Sequence, residues 1–158
     1  MCIRDRCIPC FLKTWEQRWY LIAEPLNRKN PSVYALERIS NLRLTEQQLS
    51  PSPYINPQSY FEGCYGVNHE DCPPVPIKIK VYGSQVDYVR ARPIHSSQEE
   101  VEQGYGWSVF SYWLRPSYNF YQMLLWHREK VEVMEPEEVR EEMKKIVNQI
   151  SKQYNIYG

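Results

Sequence analysis

The sequence predicts an α+β chain in which a β-rich N-terminal part precedes a module of mixed strands and helices. Two β-prone stretches near the N-terminus are separated by only two polar residues, which is typical of a β-hairpin. Apolar residues alternate from Val75 to Val81, as in a strand with one wet face. Near the C-terminus, apolar residues recur at helical spacing.

Composition limits the function classes. The chain has 158 residues, of which 42% are hydrophobic, enough for a packed core and too many for disorder. Basic and acidic residues number 19 each, which excludes a generally polybasic surface. Residues 1–50 carry eight basic and five acidic groups, so we expect local positive charge there. No apolar run approaches the roughly 18 residues of a membrane helix, and we expect a cytoplasmic protein without a membrane partner.

Five cysteines without a signal peptide indicate reduced thiols. Cys7 and Cys10 form a CxxC, but no second pair lies at zinc-ribbon spacing. Cys64, His69 and Cys72 offer three soft ligands, whereas a structural zinc site has four. We therefore expect no metal and no other cofactor, with the thiols buried or in loops.

The N-terminal elements follow from local patterns. Residues 10–15 and 18–23 are predicted to pair through a turn at Glu16 and Gln17, although that turn contains neither Gly nor Asn. Residues 24–32 contain two Pro and two Asn and are predicted to form a loop.

The following residues are less regular. Residues 33–44 are predicted to contain one or two further strands. Residues 46–63 are predicted to form an irregular connection with one helical turn near Tyr60, and the proline-rich residues 67–76 a linker between two modules.

The second module is predicted to have the order β-α-β-β-α-β, which is the ferredoxin-like arrangement. The predicted strands are residues 75–82, 91–96, 105–114 and 129–134, the predicted helices are residues 84–90 and 117–127, and residues 98–104 are predicted to form a polar turn.

A final helix is predicted after Pro136, because acidic residues surround that proline and lysines follow. Its apolar stripe consists of Val139, Met143, Ile146, Val147 and Ile150. We expect the stripe to pack on the core; a partner-binding helix is the alternative.

No sequence motif indicates an enzyme. The chain lacks the nucleophile elbow, the zinc-protease motif, the phosphate-binding loop and the dinucleotide-binding fingerprint. Its histidines are isolated. We predict no catalysis; the alternative is an enzyme that uses Cys64 or His95 and has a concave pocket around one of them.

Arginines beside aromatic residues suggest a ligand-binding surface. Arg18 and Tyr20 share one face of a predicted strand, and Tyr34 and Arg38 share a face of the next strand region. If these strands pair, the four side chains can lie on one surface, with Arg28 in the loop between them. Guanidinium groups bind phosphate oxygens, and aromatic rings stack on bases. The alternative is that the aromatic residues are core and the arginines are solvated.

These residues resemble a known family. The run RWYLIA at residues 18–23, followed by ALERI at residues 35–39, resembles the WYL domain of bacterial transcriptional regulators. Residues 81–83, 93–98 and 133–136 resemble the C-terminal extension of the same regulators.

The resemblance implies a domain plan. Residues 7–66 would form a WYL domain with a small Sm-like or SH3-like β-barrel, residues 67–76 a linker, and residues 77–158 a ferredoxin-like extension with a C-terminal helix. Residues 1–6 resemble translated adapter sequence and are expected to be non-native, so an N-terminal helix-turn-helix domain would be missing.

The resemblance also implies a function. The chain would be the ligand-sensing module of a transcriptional regulator, binding an anionic nucleotide or a single-stranded nucleic acid. It would pass the signal to the missing N-terminal domain, which binds promoter DNA, and the regulator would be a homodimer. A purely structural dimerisation module, with residues 105–114 and the final helix at the interface, is the alternative.

By position, the implied ligand-binding residues are Arg18, Tyr20, Arg28, Tyr34 and Arg38. This interpretation requires Tyr20 and Arg38 to share one cavity. Glu37 stands where many family members have Asp, and Ser32 stands where many have a basic residue, which weakens the expected attraction for a strongly anionic ligand.

Overall fold

A computed structural model describes residues 6–53, 55–69 and 72–155 of the chain. These residues form two compact units. The N-terminal unit contains the chain up to Glu62 together with Gly66–His69, and the C-terminal unit contains Gly63–Tyr65 and the chain from residue 72. Each unit is built on one antiparallel sheet, so the predicted α+β class is confirmed.

The N-terminal unit is a three-stranded meander in the order β1-β2-β3. The strands are β1 (Cys7–Trp15), β2 (Arg18–Pro25) and β3 (Ser32–Ala35). Of the expected Sm-like or SH3-like barrel, the structure describes these three strands, which pair as an open sheet.

Two short helices follow the meander. A 3-10 helix, Leu36–Arg38, comes directly after β3, and α1 spans Pro57–Tyr60. The helical turn near Tyr60 is therefore confirmed. In α1, the side chain of Asn56 accepts a hydrogen bond from the Gln58 N–H at 2.8 Å, which caps the helix.

The predicted hairpin is confirmed, with an unusual turn. Trp15 pairs with Arg18, so Glu16 and Gln17 form a two-residue connection. Their φ angles are +47° and +64°, as a type I′ turn requires. Neither residue is Gly or Asn, so each is held in a conformation that costs about 1–2 kcal/mol.

The register of β2 and β3 divides the N-terminal sheet into two faces. Leu21 lies opposite Tyr34, and Tyr20 lies opposite Ala35. Opposed residues share a face, and successive residues alternate. The Trp19 face consists of Leu12, Thr14, Trp19, Leu21, Ala23, Ser32 and Tyr34, and the Tyr20 face consists of Phe11, Lys13, Trp15, Arg18, Tyr20, Ile22, Val33 and Ala35.

Aromatic residues cover the Tyr20 face. The ring of Phe11 lies 6.1 Å from that of Tyr60 and 6.0 Å from that of Phe61, both edge to face. The ammonium of Lys13 lies 3.9 Å from the centre of the Phe61 ring. These contacts hold the end of α1 against β1, and Ile22 is fully buried.

The C-terminal unit has the predicted β-α-β-β-α-β order followed by a helix. Its elements are β4 (Val75–Tyr82), α2 (Gln85–Ala91), β5 (Glu99–Gly104), β6 (Trp107–Leu114), α3 (Tyr118–Trp126), β7 (Val131–Glu135) and α4 (Glu137–Gln153). The strand order β5-β6-β4-β7 places the first strand between the third and the fourth, as in the ferredoxin-like fold. None of the described helices is long and apolar enough to cross a membrane.

The core of this unit explains its topology. The alternating residues Ile77, Ile79 and Val81 of β4 are fully buried, as their pattern predicts. They pack with Phe110 of β6 and Phe120 of α3 in one apolar cluster. Each fully buried side chain of this size contributes about 1.5–3 kcal/mol, so the central strands and the helices stabilise one another.

The second strand of this unit corrects the sequence prediction. Residues 91–96 are not a strand, and the strand is β5, whose residues were predicted to be a turn. All six β5 residues are exposed, because β5 lies at the sheet edge, so the sequence carries no apolar alternation. The pairing of β5 with β6 is irregular between Glu100 and Glu102.

Hydrogen bonds from Arg90 link β5 and β6 to α2. The Arg90 guanidinium donates to Glu100 at 2.6 Å and to the Ser108 hydroxyl at 3.1 Å. The hydrogen bond from Arg90 holds the pKa of Glu100 below its usual range. One carboxylate of this acidic strand is therefore directed toward the helices.

The final helix is buried on one side near both of its ends, at Val139 and Ser151, but part of its apolar stripe is exposed. Val139 is buried, and Met143 is half-buried against the apolar cluster. Further along the same stripe, Val147 is 48% exposed and Ile150 is 36% exposed. The expectation that the stripe packs on the core is therefore wrong for Val147 and Ile150, whereas Ile146 is half-buried.

His127 is a buried titratable group at the end of α3. Burial lowers the pKa of its imidazole from 6.5. The Gln85 side-chain amide lies 2.9 Å from its Nδ1 and can donate to that nitrogen when the ring is neutral. The native state therefore favours the uncharged ring.

We expect the C-terminal unit to lose stability as the pH falls below 6.5. The unfolded chain then binds a proton at His127 that the native state does not bind, so unfolding is favoured. NMR titration of the imidazole should place its pKa below 6.5, and thermal unfolding should begin earlier at pH 5 than at pH 7. A native pKa at or above 6.5 would contradict this.

Replacing Glu16 and Gln17 with Asn and Gly should stabilise the N-terminal sheet by about 2 kcal/mol, because Asn and Gly adopt positive φ readily, whereas Glu and Gln are each strained there. Native-state hydrogen exchange of the β1 and β2 amides measures the change. Gly106→Ala, in the turn between β5 and β6, tests the same strain in the opposite direction. Its added methyl meets nothing within 4 Å, but the φ of +75° at this position makes the substitution strained, so it should destabilise the C-terminal sheet. Unchanged β1 protection in the Asn-Gly variant would refute the strain at this turn.

Candidate functional site

A cavity with a volume of about 480 Å³ runs along β3 in the N-terminal unit. Four of its lining residues are the whole of β3, Ser32–Ala35. The others are Arg28, Arg38 and Ile39. Among the described strands, β3 pairs only with β2, so its second edge is open to line this surface.

The loop and the 3-10 helix on either side of β3 position the two arginines. The Arg28 N–H donates to the Pro25 carbonyl at 3.3 Å, which tightens the turn after β2. The Ile39 N–H donates to the Leu36 carbonyl at 3.1 Å, which closes the 3-10 helix that carries Arg38. Both arginines are exposed, and no described residue lining the surface is acidic.

Tyr34 supplies the aromatic ring of the cavity, which we call the β3 cavity. Its side chain is half-buried on the Trp19 face. The predicted residues that meet at the β3 cavity are therefore Arg28, Tyr34 and Arg38.

Arg18 lies outside the β3 cavity. Its Nη1 is 3.7 Å from Oε1 of Glu37, and the two side chains are 62% and 49% exposed. An exposed pair of this kind contributes about 0.2–1 kcal/mol. Arg18 is thus paired with the carboxylate that precedes Arg38 in the 3-10 helix.

Tyr20 does not share a surface with Tyr34, and that part of the sequence interpretation is wrong. The β2–β3 register places the two tyrosines on opposite faces of the sheet. Arg38 belongs to a 3-10 helix, so strand alternation does not place it either. Tyr20 is absent from the lining of the β3 cavity, and the required cavity shared by Tyr20 and Arg38 is not formed there.

A second cavity, with a volume of about 280 Å³, lies in the C-terminal unit. Its polar side chains hold a loop: Gln98 accepts from the Ile94 N–H and the Tyr112 hydroxyl, each at 2.9 Å. Ser97 accepts from the Trp113 N–H at 3.0 Å. These hydrogen bonds give the side chains a structural role.

The alternative enzyme sites gain no support from these two surfaces, because neither Cys64 nor His95 lines either of them. Within residues 6–53, 55–69 and 72–155, no cluster of three or more His, Cys, Asp or Glu side chains could hold a metal ion.

Two domain families match the sequence. Residues 5–44 match the WYL domain, and residues 73–151, half of the chain, match the WCX domain. The chain belongs to the family of WYL-domain proteins that carry a WCX domain. The WYL match contains β1, β2, β3 and the 3-10 helix, and the WCX match contains the ferredoxin-like sheet and most of α4.

The solved structure of proteasome accessory factor B/C (PafBC) of Arthrobacter aurescens is a distant neighbour. It is 17% identical to this chain, with a TM-score of 0.38. The match covers 87% of this chain and 21% of that one, so the chain spans about a fifth of the length of PafBC. Among curated proteins, none matches the sequence.

The β3 cavity lies in the WYL domain, and its residues flank the motif that names the domain. Trp19, Tyr20 and Leu21 are in β2, next to β3. The 53% exposure of Trp19 is not predicted by the sequence pattern. No sequence pattern shows that Trp19, rather than Tyr20, shares a face with Tyr34, because that depends on the β2–β3 register.

Proposed function

We propose that the chain is the ligand-sensing part of a transcriptional regulator and that the WYL domain binds an anionic ligand, a nucleotide or a single-stranded nucleic acid, in the β3 cavity. One observation carries this proposal: Arg28, Tyr34 and Arg38 line the same concave surface, and no acidic residue among those described lines it.

The chemistry of these side chains fits phosphate and base. Each guanidinium can donate two parallel hydrogen bonds to phosphate oxygens. The Tyr34 ring provides a π-face for a base. A volume of about 480 Å³ lies within the range of about 300–1,000 Å³ of small-molecule sites.

Arg18 acts as a positioning residue in this proposal. By pairing with Glu37, it reduces the repulsion between that carboxylate and an anionic ligand held by Arg38. The role assigned to Tyr20 is correspondingly reduced to packing on the opposite face.

The regulatory step is allosteric. A DNA-binding domain elsewhere in the longer regulator would bind promoter DNA. Ligand binding to the WYL domain would change the activity of that DNA-binding domain. This requires the ligand to bind two states of the regulator with different affinities. The proposal contains no catalytic step.

Removing either cavity arginine should weaken binding of a fluorescein-labelled thymidine oligonucleotide. We expect Arg28→Gln and Arg38→Gln each to raise Kd about 10-fold, because each removes charge-assisted hydrogen bonds to phosphate. The slope of log Kd against log salt should also fall by about 0.7 per arginine. Fluorescence anisotropy at several salt concentrations measures both quantities.

Arg43→Gln is the matched control, because Arg43 is an exposed arginine of the same unit that does not line the β3 cavity. Equal losses in all three variants would mean that binding is nonspecific attraction by surface charge. Unchanged affinity in both Arg28→Gln and Arg38→Gln would remove the cavity as the binding site.

Dimerisation through α4 is a second candidate function, favoured by the exposure of Val147 and Ile150. If a second copy covers this stripe, Val147→Glu should convert a dimer to a monomer in sedimentation velocity. Gln149→Glu, which adds the same charge at an exposed position outside the stripe, should leave the dimer intact. A monomeric parent chain would exclude this function for the isolated protein.

A further inference from the structure

The Trp19 face continues outward from the β3 cavity. Tyr34 lines the cavity, Leu21 lies opposite Tyr34 on the same face, and Trp19 is two residues before Leu21. Trp19 and Tyr34 are therefore diagonal neighbours, whose separation in an antiparallel sheet is about 7–8 Å. An aromatic, an aliphatic and a second aromatic side chain form one strip.

This strip is accessible at its far end. Trp19 is 53% exposed, and Leu12, which lies opposite Leu21, is 54% exposed. Trp19 makes no ring contact with any other described aromatic residue. From Leu12 to Tyr34, no residue of the Trp19 face is charged. The indole is thus available to a partner with a flat, apolar surface.

We propose that Trp19 is a second stacking platform of the same site, so that the ligand is a single-stranded nucleic acid of at least two nucleotides rather than a mononucleotide. One base stacks on Tyr34 and another on Trp19, while Arg28 and Arg38 hold phosphates. This inference rests on the function proposed above for the β3 cavity.

The spacing of Trp19 and Tyr34 along the sheet fits a nucleic-acid strand. A stacked strand advances about 3.4 Å per nucleotide. Diagonal residues about 7–8 Å apart on one face therefore match bases two steps apart in a stacked strand, or neighbouring bases in an unstacked one. Leu21, which lies opposite Tyr34 and two residues after Trp19, provides apolar contact for the intervening sugar or base.

Charge favours this face over the open face of the C-terminal sheet. On that open face, the Trp107 ring already has two partners: it packs against Gly104, and the Lys80 ammonium lies 3.9 Å from the centre of the ring. Glu99, Glu102 and Glu132 lie on that same face, in register with β6 or β4. These carboxylates outnumber Lys78 and Lys80 on the same face and would repel a phosphodiester strand, whereas the Trp19 face has no carboxylate.

The test compares Trp19→Leu with Trp113→Leu in the full chain. Trp113 is a matched control, because it is 47% exposed on a strand of the C-terminal sheet. The probes are a labelled thymidine hexanucleotide and a labelled abasic hexamer, which keeps the phosphates but has no bases. Hydrogen exchange of β2 checks that Trp19→Leu is folded.

We expect Trp19→Leu to weaken binding of the thymidine hexanucleotide about 10-fold and to change binding of the abasic hexamer less than twofold. Trp19→Phe, which keeps a π-face, should recover most of the affinity. Trp113→Leu should change neither probe. Thymidine monophosphate should compete at least 10-fold more weakly than the unlabelled hexanucleotide.

Two results would overturn the inference: a Trp19→Leu variant that binds the thymidine hexanucleotide like the parent, or one that loses equal affinity for both hexamers. Equal competition by thymidine monophosphate would also overturn it. Arg38→Gln separates the two proposals. If Arg38→Gln weakens binding and Trp19→Leu does not, only the second platform fails; if neither does, the cavity itself fails as the ligand site.

Discussion

The pairing of Leu21 with Tyr34 is the constraint on which the site depends. Side chains alternate along a strand, so a shift of one residue in this pairing would move every β3 side chain to the other face. The observed register puts Tyr34 on the face of Trp19 and leaves Tyr20 to the face that α1 and its aromatic neighbours cover. A single backbone registration thus places Trp19 and Leu21 of the WYL motif on one face of the sheet and Tyr20 on the other.

The elements that the sequence predicted correctly are those with a strong local pattern. β4 alternates, α3 begins at Tyr118 after a proline and the capping residue Ser117, and the hairpin is bounded by β-prone runs. β5 was misplaced because an edge strand with both faces wet has no apolar period to detect. The hairpin turn was located correctly, even though its residues lack the usual preference for positive φ.

Sequence reasoning named five residues for the candidate site, and the structure brings three of them together. Arg28, Tyr34 and Arg38 do line one surface. The alternation of side chains along one strand does not determine how two strands align, because the alignment depends on the loop between them. Strand alternation also does not apply to Arg38, which lies in a 3-10 helix. The pairing of Arg18 with Glu37 depends on the same helix and could not be inferred from strand patterns.

The acidic edge strand β5 has a consequence for how the protein behaves at high concentration. An open strand edge can recruit the edge of another molecule, and repeated recruitment builds fibres. Three glutamates within six residues, together with an irregular pairing near Glu100, make β5 a poor template for such growth. The WCX sheet can therefore stay unpaired at this edge without polymerising, so its assembly state is left to other surfaces.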